Sequence, residues 1–332
     1  MNDDIRPADT LVLVTGGTGH LGGHSITRLL AAGYRVRTTV RDPGRAAGSD
    51  ALAASEVVQA DLGADDGWAA ATDGVDYVLH VASPFPPGAP EDDDEVIRPA
   101  RDGAVRVLAA AREAGVRRVV LTSSFAAVGY SAEPREEYTE ADWTDPADPN
   151  SAYVRSKVIA ERAAWDQVRS AGGPELAVIN PTGIFGPVSG GRLSSSVGLV
   201  RAVLDGAMPV VPPLSFGVVD VRDVADLHVR AMIHPQAAGE RFLATAGASI
   251  SFLDLARMVG GPGLSTVELT AEQVRAAAET DPAMREAAAR LGRVPVIRTA
   301  KARTVLGWRP RPVEETVADT VRSLRAAPAL RG

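Results

Sequence analysis

Cysteine is absent from the 332 residues. That absence excludes disulfide scaffolds, thiolate zinc sites and cysteine nucleophiles together. Histidine is scarce: His20, His24, His80, His228 and His234 are the five, and none falls in an HExxH or other paired ligand spacing, so no metal site is expected. Positive charge is in deficit, with 35 Lys+Arg against 42 Asp+Glu and a net charge of −7. Nucleic-acid affinity rests on clustered cations that release counterions, so a nucleic-acid partner is not expected. No apolar run approaches the roughly eighteen residues needed to cross a bilayer. The opening Met1-Asn2-Asp3-Asp4 also lacks the basic-then-apolar order of a signal peptide. The expectation is a cytoplasmic protein that binds neither nucleic acid nor membrane. What is present is ordinary: 45% hydrophobic and 23% charged residues, enough to build a large core and to exclude a disordered chain. The length accommodates about two domains.

The first 180 residues alternate short β-branched runs with longer helical patterns. Strands are expected at Leu11–Val14, Arg35–Val40, Val57–Gln59, Tyr77–Val81, Val119–Thr122 and Ala177–Asn180. Helices are expected at Leu21–Ala32, Trp68–Ala71, Val96–Ala114 and Ser151–Ser170. Continuous apolar strands covered on both faces, in β-α-β-α order, predict an α/β fold with a doubly wound parallel sheet of the Rossmann kind. After Asn180 the rhythm breaks. A helix at Val197–Leu204, a strand at Phe216–Val221, a helix at Val224–Met232, a helix at Leu253–Val259, a polar helix at Ala271–Leu291, a strand at Val294–Arg298 and a last helix at Val313–Leu324 are expected. The domain assignment is residues 1–180 and 216–250 for the sheet domain, with a smaller discontinuous substrate lobe at 181–215 and 251–325.

Directly after the first strand lies Thr15-Gly16-Gly17-Thr18-Gly19-His20-Leu21-Gly22. Gly16 permits a tight turn, Gly19 lets backbone approach a pyrophosphate, and Gly22 allows close helix–strand contact. The helix opening near Leu21 then offers free N–H groups and a positive dipole to phosphates. Thr15, Gly16, Thr18, Gly19, His20 and Leu21 are therefore assigned to a dinucleotide cofactor. The second strand ends at Val40-Arg41-Asp42. The acidic residue that would hold an NAD ribose is replaced there by Val40. Arg41 can instead grip a 2′-phosphate with its planar fork, which selects NADP. Asp42-Pro43-Gly44 reads as a turn start, and Arg37 and Arg45 add positive charge nearby. Asp61 and Leu62 close the third strand, Val81, Ala82 and Ser83 the fourth, and Thr122 the fifth, all at the carboxyl ends where such sheets build their crevice.

Tyr153 and Lys157 lie four apart on one helical face. An isolated phenol has a pKa of about 10; a neighbouring ammonium stabilises the phenolate and brings it toward a useful range. Upstream, Thr122-Ser123-Ser124 places hydroxyls at a strand end, where a serine can polarise a carbonyl oxygen. Glycine turn, strand-end serines and YxxxK, in that order, point to hydride transfer to or from a carbonyl.

With Val36-Arg37-Thr38-Thr39-Val40-Arg41-Asp42-Pro43, His80-Val81-Ala82-Ser83-Pro84, Asn180-Pro181-Thr182, Val219-Asp220-Val221-Arg222-Asp223 and Lys301-Ala302-Arg303-Thr304-Val305-Leu306-Gly307-Trp308, these motifs carry a resemblance from Leu11 to about Leu324. The chain resembles the extended short-chain dehydrogenase/reductase family, within it the dihydroflavonol reductases, cinnamoyl-CoA reductases and microbial NADPH-dependent aldehyde and carbonyl reductases. The resemblance implies Ser124, Tyr153 and Lys157 as the catalytic set, with Ser123 an alternative to Ser124 because Phe125 stands where the family has a small residue. It implies Pro181, Thr182 and Gly183 against the nicotinamide. It also implies reduction of an aldehyde or ketone with NADPH, Tyr153 giving the proton, in a monomer or homodimer. Two departures stand out: His20 replaces an aromatic in the glycine turn, and Arg106 replaces an asparagine that takes part in a proton relay. Phe85, Phe125, Ile184, Leu214 and Phe216 flank the motif ends and, with Ser124, are the expected substrate wall. The rival readings are an NAD-retaining nucleotide-sugar epimerase or dehydratase, for which Arg192 and Arg201 would hold a diphosphate, a 3β-hydroxysteroid-type dehydrogenase, and a non-catalytic NADP sensor.

Overall fold

Short runs of Val, Leu and Ile between glycine and acidic turns form the strands Leu11–Thr15 (β1), Arg35–Val40 (β2), Glu56–Gln59 (β3), Tyr77–His80 (β4), Arg118–Thr122 (β5), Glu175–Pro181 (β6) and Arg241–Ala244 (β7). The computed structural model describes residues 5–42, 44, 50–83, 92–188, 193–260 and 266–327. The seven strands make one sheet in the order β7-β6-β5-β4-β1-β2-β3, every neighbouring pair parallel. The order reverses between β1 and β4, the switch point where such a sheet opens a crevice beyond its strand ends.

Successive side chains of each strand serve opposite faces. Val12, Val14, Leu79, Val120 and Ile179 pack into one core, while Leu11, Leu13, Val78, Val119 and Val178 pack into another. The helices His20–Ala31 (α1) and Val221–Ile233 (α4) close the first face; Asp94–Glu113 (α2) and Ala152–Ala171 (α3) lie together over the second. A third core, with Phe185, Val197, Val200, Leu255, Val317 and Leu324, fills the lobe beyond the sheet.

Two expectations need correction. The strand expected at Phe216–Val221 is not a member of the main sheet. Ser215–Phe216 pairs with Ile250–Ser251, and Val218–Asp220 pairs with Gly183–Phe185. The break is at Gly217, where a Cβ would stand 2.6 Å from Thr245 Oγ1 and 2.7 Å from Thr182 Cγ2. The strand that completes the sheet is Arg241–Ala244, which no expectation covered. The polar helix expected over Ala271–Leu291 is two helices, Ala271–Ala277 and Pro282–Ala288. Pro282 has no N–H to continue the first and disfavours helical backbone at Asp281. A short helix at Ala300–Val305 was also unforeseen. Among the described residues no helix is long and apolar enough to cross a membrane.

Candidate active site

The glycine turn is built by close approach. Gly16 has φ +73°, and a Cβ there would press on Ala82 at 3.0 Å; one on Gly22 would strike Gly16 O at 2.1 Å, and one on Gly17 would strike Thr38 Oγ1 at 2.2 Å. The turn is thus pinched between β4, β2 and α1, which only glycine allows. Gly19 is the N-cap of α1 and supplies no side-chain cap, so the first N–H groups of the helix stay open toward the exposed Thr18 and Gly19. Leu21 points into the first core.

The Thr15 side chain is engaged within the fold. Its Oγ1 accepts from the N–H groups of Val81 (3.1 Å) and Ala82 (3.0 Å), so its proton goes to His80 Nδ1 at 2.9 Å. The hydroxyl therefore ties the ends of β1 and β4 together. Thr122 is similar: His228 Nδ1 donates to Val224 O at 2.8 Å, leaving Nε2 to accept from the Thr122 hydroxyl at 2.7 Å, toward α4 and away from the crevice. Both rings must be neutral. Burial holds His80 at about 3, with the charge of Lys157 adding to the effect. Burial likewise holds His228 at about 4, and His20, also opposed by His24, at about 4.

These depressed values set the acid stability. The unfolded histidines, with pKa near 6.5, take up protons that the fold refuses, so stability is fully present above about pH 6.5 and is lost as pH falls toward 4. Calorimetric unfolding near pH 5.5 should take up roughly one proton per buried histidine beyond the carboxylate contribution. His228→Gln should remove one of them; an unchanged uptake would contradict a neutral buried His228.

Beyond β2, Arg41 is exposed; its carbonyl accepts from Gln59 Nε2 at 3.0 Å, and its guanidinium has no ion pair among the described residues. Asp42 Oδ1 accepts from Gly44 N–H at 2.9 Å, the turn expected there. Arg37, grouped with Arg41 by its charge, is engaged elsewhere: it pairs with Glu56 at 2.8 Å and donates to Asp73 O at 2.6 Å. Arg45 lies outside the described residues. Asp61 turns one carboxylate oxygen on Gly63 N–H (2.8 Å) and is otherwise exposed. Leu62 packs against Gly103, and its carbonyl accepts from Arg106, whose Nε also reaches Asp65 at 2.6 Å. The arginine in the asparagine position thus staples the loop after β3 and takes no part among the hydroxyls near Tyr153.

Those hydroxyls converge at the ends of β4 and β5. The Tyr153 hydroxyl donates toward Ser124 Oγ at 3.5 Å, longer than a settled O–H···O bond. Ser124 Oγ also accepts from Ala126 N–H at 3.1 Å, capping the turn that follows. Lys157 Nζ sits 5.6 Å from the Tyr153 ring centre and donates to Ser83 Oγ at 2.8 Å. Burial pulls the ammonium down to about 8. Tyr153 differs from expectation: burial pushes its pKa above 10, and the bond to Ser124 only partly opposes this. Without a bound cation the phenol is held protonated.

Ser123, the alternative serine, faces the other way. It donates to Glu161 Oε2 at 2.5 Å, in a buried network that sequence reasoning missed. Glu161 pairs with Arg241 Nε at 2.6 Å and accepts from Asn180 Nδ2 at 2.7 Å. Asn180 donates also to Ser124 O at 3.2 Å, and Arg241 stacks on Trp143 at 3.8 Å. The network pins the strand end that presents Ser124. Its one legible signal was a glutamate four residues after Lys157, one turn further along α3.

Beside Ser124 and Tyr153 opens a cavity of about 930 Å³, with Pro181, Thr182, Gly183, Phe125, Leu214 and Phe216 on its lining. Thr182 is anchored to Thr245 Oγ1 at 3.2 Å. Ile184 is a correction: it packs against the sheet core, because on the Gly183–Phe185 strand only Gly183 and Phe185 alternate toward the cavity. Phe85 lies outside the described residues. Tyr130 and Phe252 line the cavity unforeseen, Phe252 packing on Phe216 with ring centres 4.7 Å apart. For the epimerase reading, Arg201 is occupied by Asp205 at 3.2 Å, and Arg192 lies outside the described residues.

The sheet order, the glycine turn at its switch point and the Ser–Tyr–Lys group beside a cavity define an α/β protein of the extended short-chain dehydrogenase/reductase type. Residues 12–244 match the NAD dependent epimerase/dehydratase family, and the chain belongs to that family. It is similar to cinnamoyl-CoA reductase CAD2 of Medicago truncatula, 35% identical over 249 residues that cover 70% of this chain and 75% of the relative. It is also similar to ketoreductase azaE of Aspergillus niger, 35% identical over 264 residues, covering 71% and 78%. Among solved structures, yeast methylglyoxal/isovaleraldehyde reductase Gre2 complexed with NADPH aligns with a TM-score of 0.75 and 25% identity, over 97% of this chain and 100% of that one.

Proposed function

We propose that the chain is an NADPH-dependent reductase of aldehyde or ketone carbonyls in which Tyr153 gives the proton. The observation that carries this is the meeting of Ser124 Oγ and Tyr153 OH at 3.5 Å, with Lys157 on the same helical face, at the edge of a largely apolar cavity. The names of the relatives point the same way, each being a reductase.

The residues present fit the cofactor: three glycines whose Cβ positions are filled by neighbouring atoms, an uncapped helix start, and an exposed arginine beyond β2. Bound NADPH supplies the hydride. Backbone N–H groups of His20 and Leu21 would hold the pyrophosphate, Arg41 the 2′-phosphate, and Lys157 the nicotinamide ribose after leaving Ser83. Ser124 donates to the carbonyl oxygen as negative charge builds on it, and Tyr153 delivers its phenolic proton to that oxygen. The raised pKa of Tyr153 keeps that proton in place at neutral pH, as the reductive direction needs. Lys157, positive at neutral pH, stabilises the phenolate left behind. The cores divide the work in this reading, the two on the sheet backing the cofactor site and the third, in the lobe, shaping the substrate wall.

NADPH oxidation with a panel of aldehydes and ketones tests the reading directly. Arg41→Ala should weaken NADPH by about 10- to 100-fold, the loss of a charge-assisted contact, and NADH by less than about twofold. Equal losses for both cofactors would remove Arg41 from the 2′-phosphate role.

A further inference from the structure

Tyr138, Tyr153 and Tyr130 all line the cavity. The Tyr138 hydroxyl accepts from Arg135 N–H at 3.3 Å, and the Tyr153 hydroxyl bonds to Ser124. The Tyr130 hydroxyl has no protein hydrogen bond among the described residues, although the rest of the residue is fixed. Its N–H donates to Thr144 Oγ1 at 2.9 Å, and its carbonyl accepts from Asn150 Nδ2 at 3.0 Å. Its ring meets Phe125 edge-on at 5.9 Å, and the Arg290 guanidinium, paired with Glu286, covers the ring face at 3.8 Å. A cation on the face of a phenol draws charge from the ring and makes its O–H a stronger donor. Tyr130 lies near enough to Tyr153 to oppose ionisation of that phenol. A polar group left unpaired in such a setting is costly unless a ligand or water completes it.

We propose that Tyr130 is a second hydrogen-bond donor to the substrate, binding an oxygen that neighbours the carbonyl reduced at Tyr153. The site then selects carbonyl compounds with two oxygen acceptors a few bonds apart, the α- and β-dicarbonyls and keto esters, over simple ketones of equal size. This rests on the carbonyl-reductase reading above. The donor is held in place before binding, so little ordering offsets the bond it makes. Phe216, Phe252 and Leu214 line the same cavity, so a monocarbonyl fits the same space but leaves the Tyr130 hydroxyl without its acceptor.

The test compares ethyl acetoacetate with 2-heptanone, which has the same number of atoms along its chain and one oxygen acceptor. Tyr130→Phe keeps the ring, its packing on Phe125 and its contact with Arg290, and removes the hydroxyl alone. Its kcat/KM for ethyl acetoacetate should fall about tenfold through KM with kcat nearly unchanged, and both constants for 2-heptanone should stay within about twofold of wild type. Equal losses on the two substrates, or no loss on the keto ester, overturn the assignment. A wild-type enzyme that oxidises NADPH with neither compound nor any of the panel overturns instead the reductase reading on which it rests.

Discussion

Tyr153→Phe is expected to lower kcat/KM for carbonyl reduction about a thousandfold, the usual contribution of a positioned general acid. NADPH affinity should change by less than about twofold, because the variant keeps the ring, the α3 backbone and Lys157. The size of the effect follows from the surroundings of the phenol. Its hydroxyl is turned toward Ser124 at the cavity, and burial raises its pKa, so the proton is held where the carbonyl oxygen would sit. If Tyr130 or water took over the proton transfer, the variant would retain more than about a tenth of wild-type activity. That result would reject Tyr153 as proton donor. The reverse, oxidative direction must first remove the phenolic proton, so it should become efficient only at more alkaline pH than reduction.

Glu161→Ala should be the most destabilising single change at a position that touches no substrate. Glu161 and Arg241 have side chains 0% and 8% exposed and are joined at 2.6 Å. Truncating the glutamate strands a buried guanidinium and also removes the acceptor for Ser123 and Asn180. Breaking such a pair costs about 3–5 kcal/mol, measurable as a fall in the denaturant midpoint at unchanged m-value. Replacing both partners, as in Glu161→Leu with Arg241→Met, should recover most of that loss, because a well-packed apolar pair avoids the desolvation of two charges. A loss below about 1 kcal/mol for Glu161→Ala would mean the pair is hydrated or contributes little net stability. Activity of the single variant should fall further than its stability alone explains, since Asn180 also holds the Ser124 carbonyl.

Local chemistry made the first half of the fold and the catalytic motifs readable. Leu11–Val14 is a continuous apolar run, Arg35–Val40 is rich in β-branched residues, and the glycine turn sits between strand and helix as its spacing requires. What stayed hidden depends on partners far along the chain. Arg241 opens β7, yet a charged first residue reads as a loop until Glu161 and Trp143 are brought to it by the fold. Gly217 looked like one residue of a strand; its close contact with Thr182 and Thr245 is what splits the ladder there. Choosing Ser124 over Ser123 was likewise beyond the reach of spacing, because the alternation of the strand end decides it and the burial of Glu161 explains it. Ile184 and Phe185 differ only in which face their strand position gives them. Asp281-Pro282, by contrast, was a legible break that the helical periodicity of its flanks obscured.

The Glu161–Arg241 pair has a consequence for how the protein is made. Every group proposed to touch the reacting carbonyl lies between Ser124 and Tyr153, and Lys157 follows one turn later. The cation that neutralises their supporting glutamate arrives only with residue 241, in the strand that joins the edge of the sheet last in chain order. A nascent or truncated chain ending after β6 would carry the complete reactive motif around an unpaired buried carboxylate. Such a chain must either leave Glu161 in water or leave the Ser123–Ser124 strand end loose. Competence for chemistry is therefore a late event in assembly, coupled to closure of a long-range contact rather than to formation of the local motif.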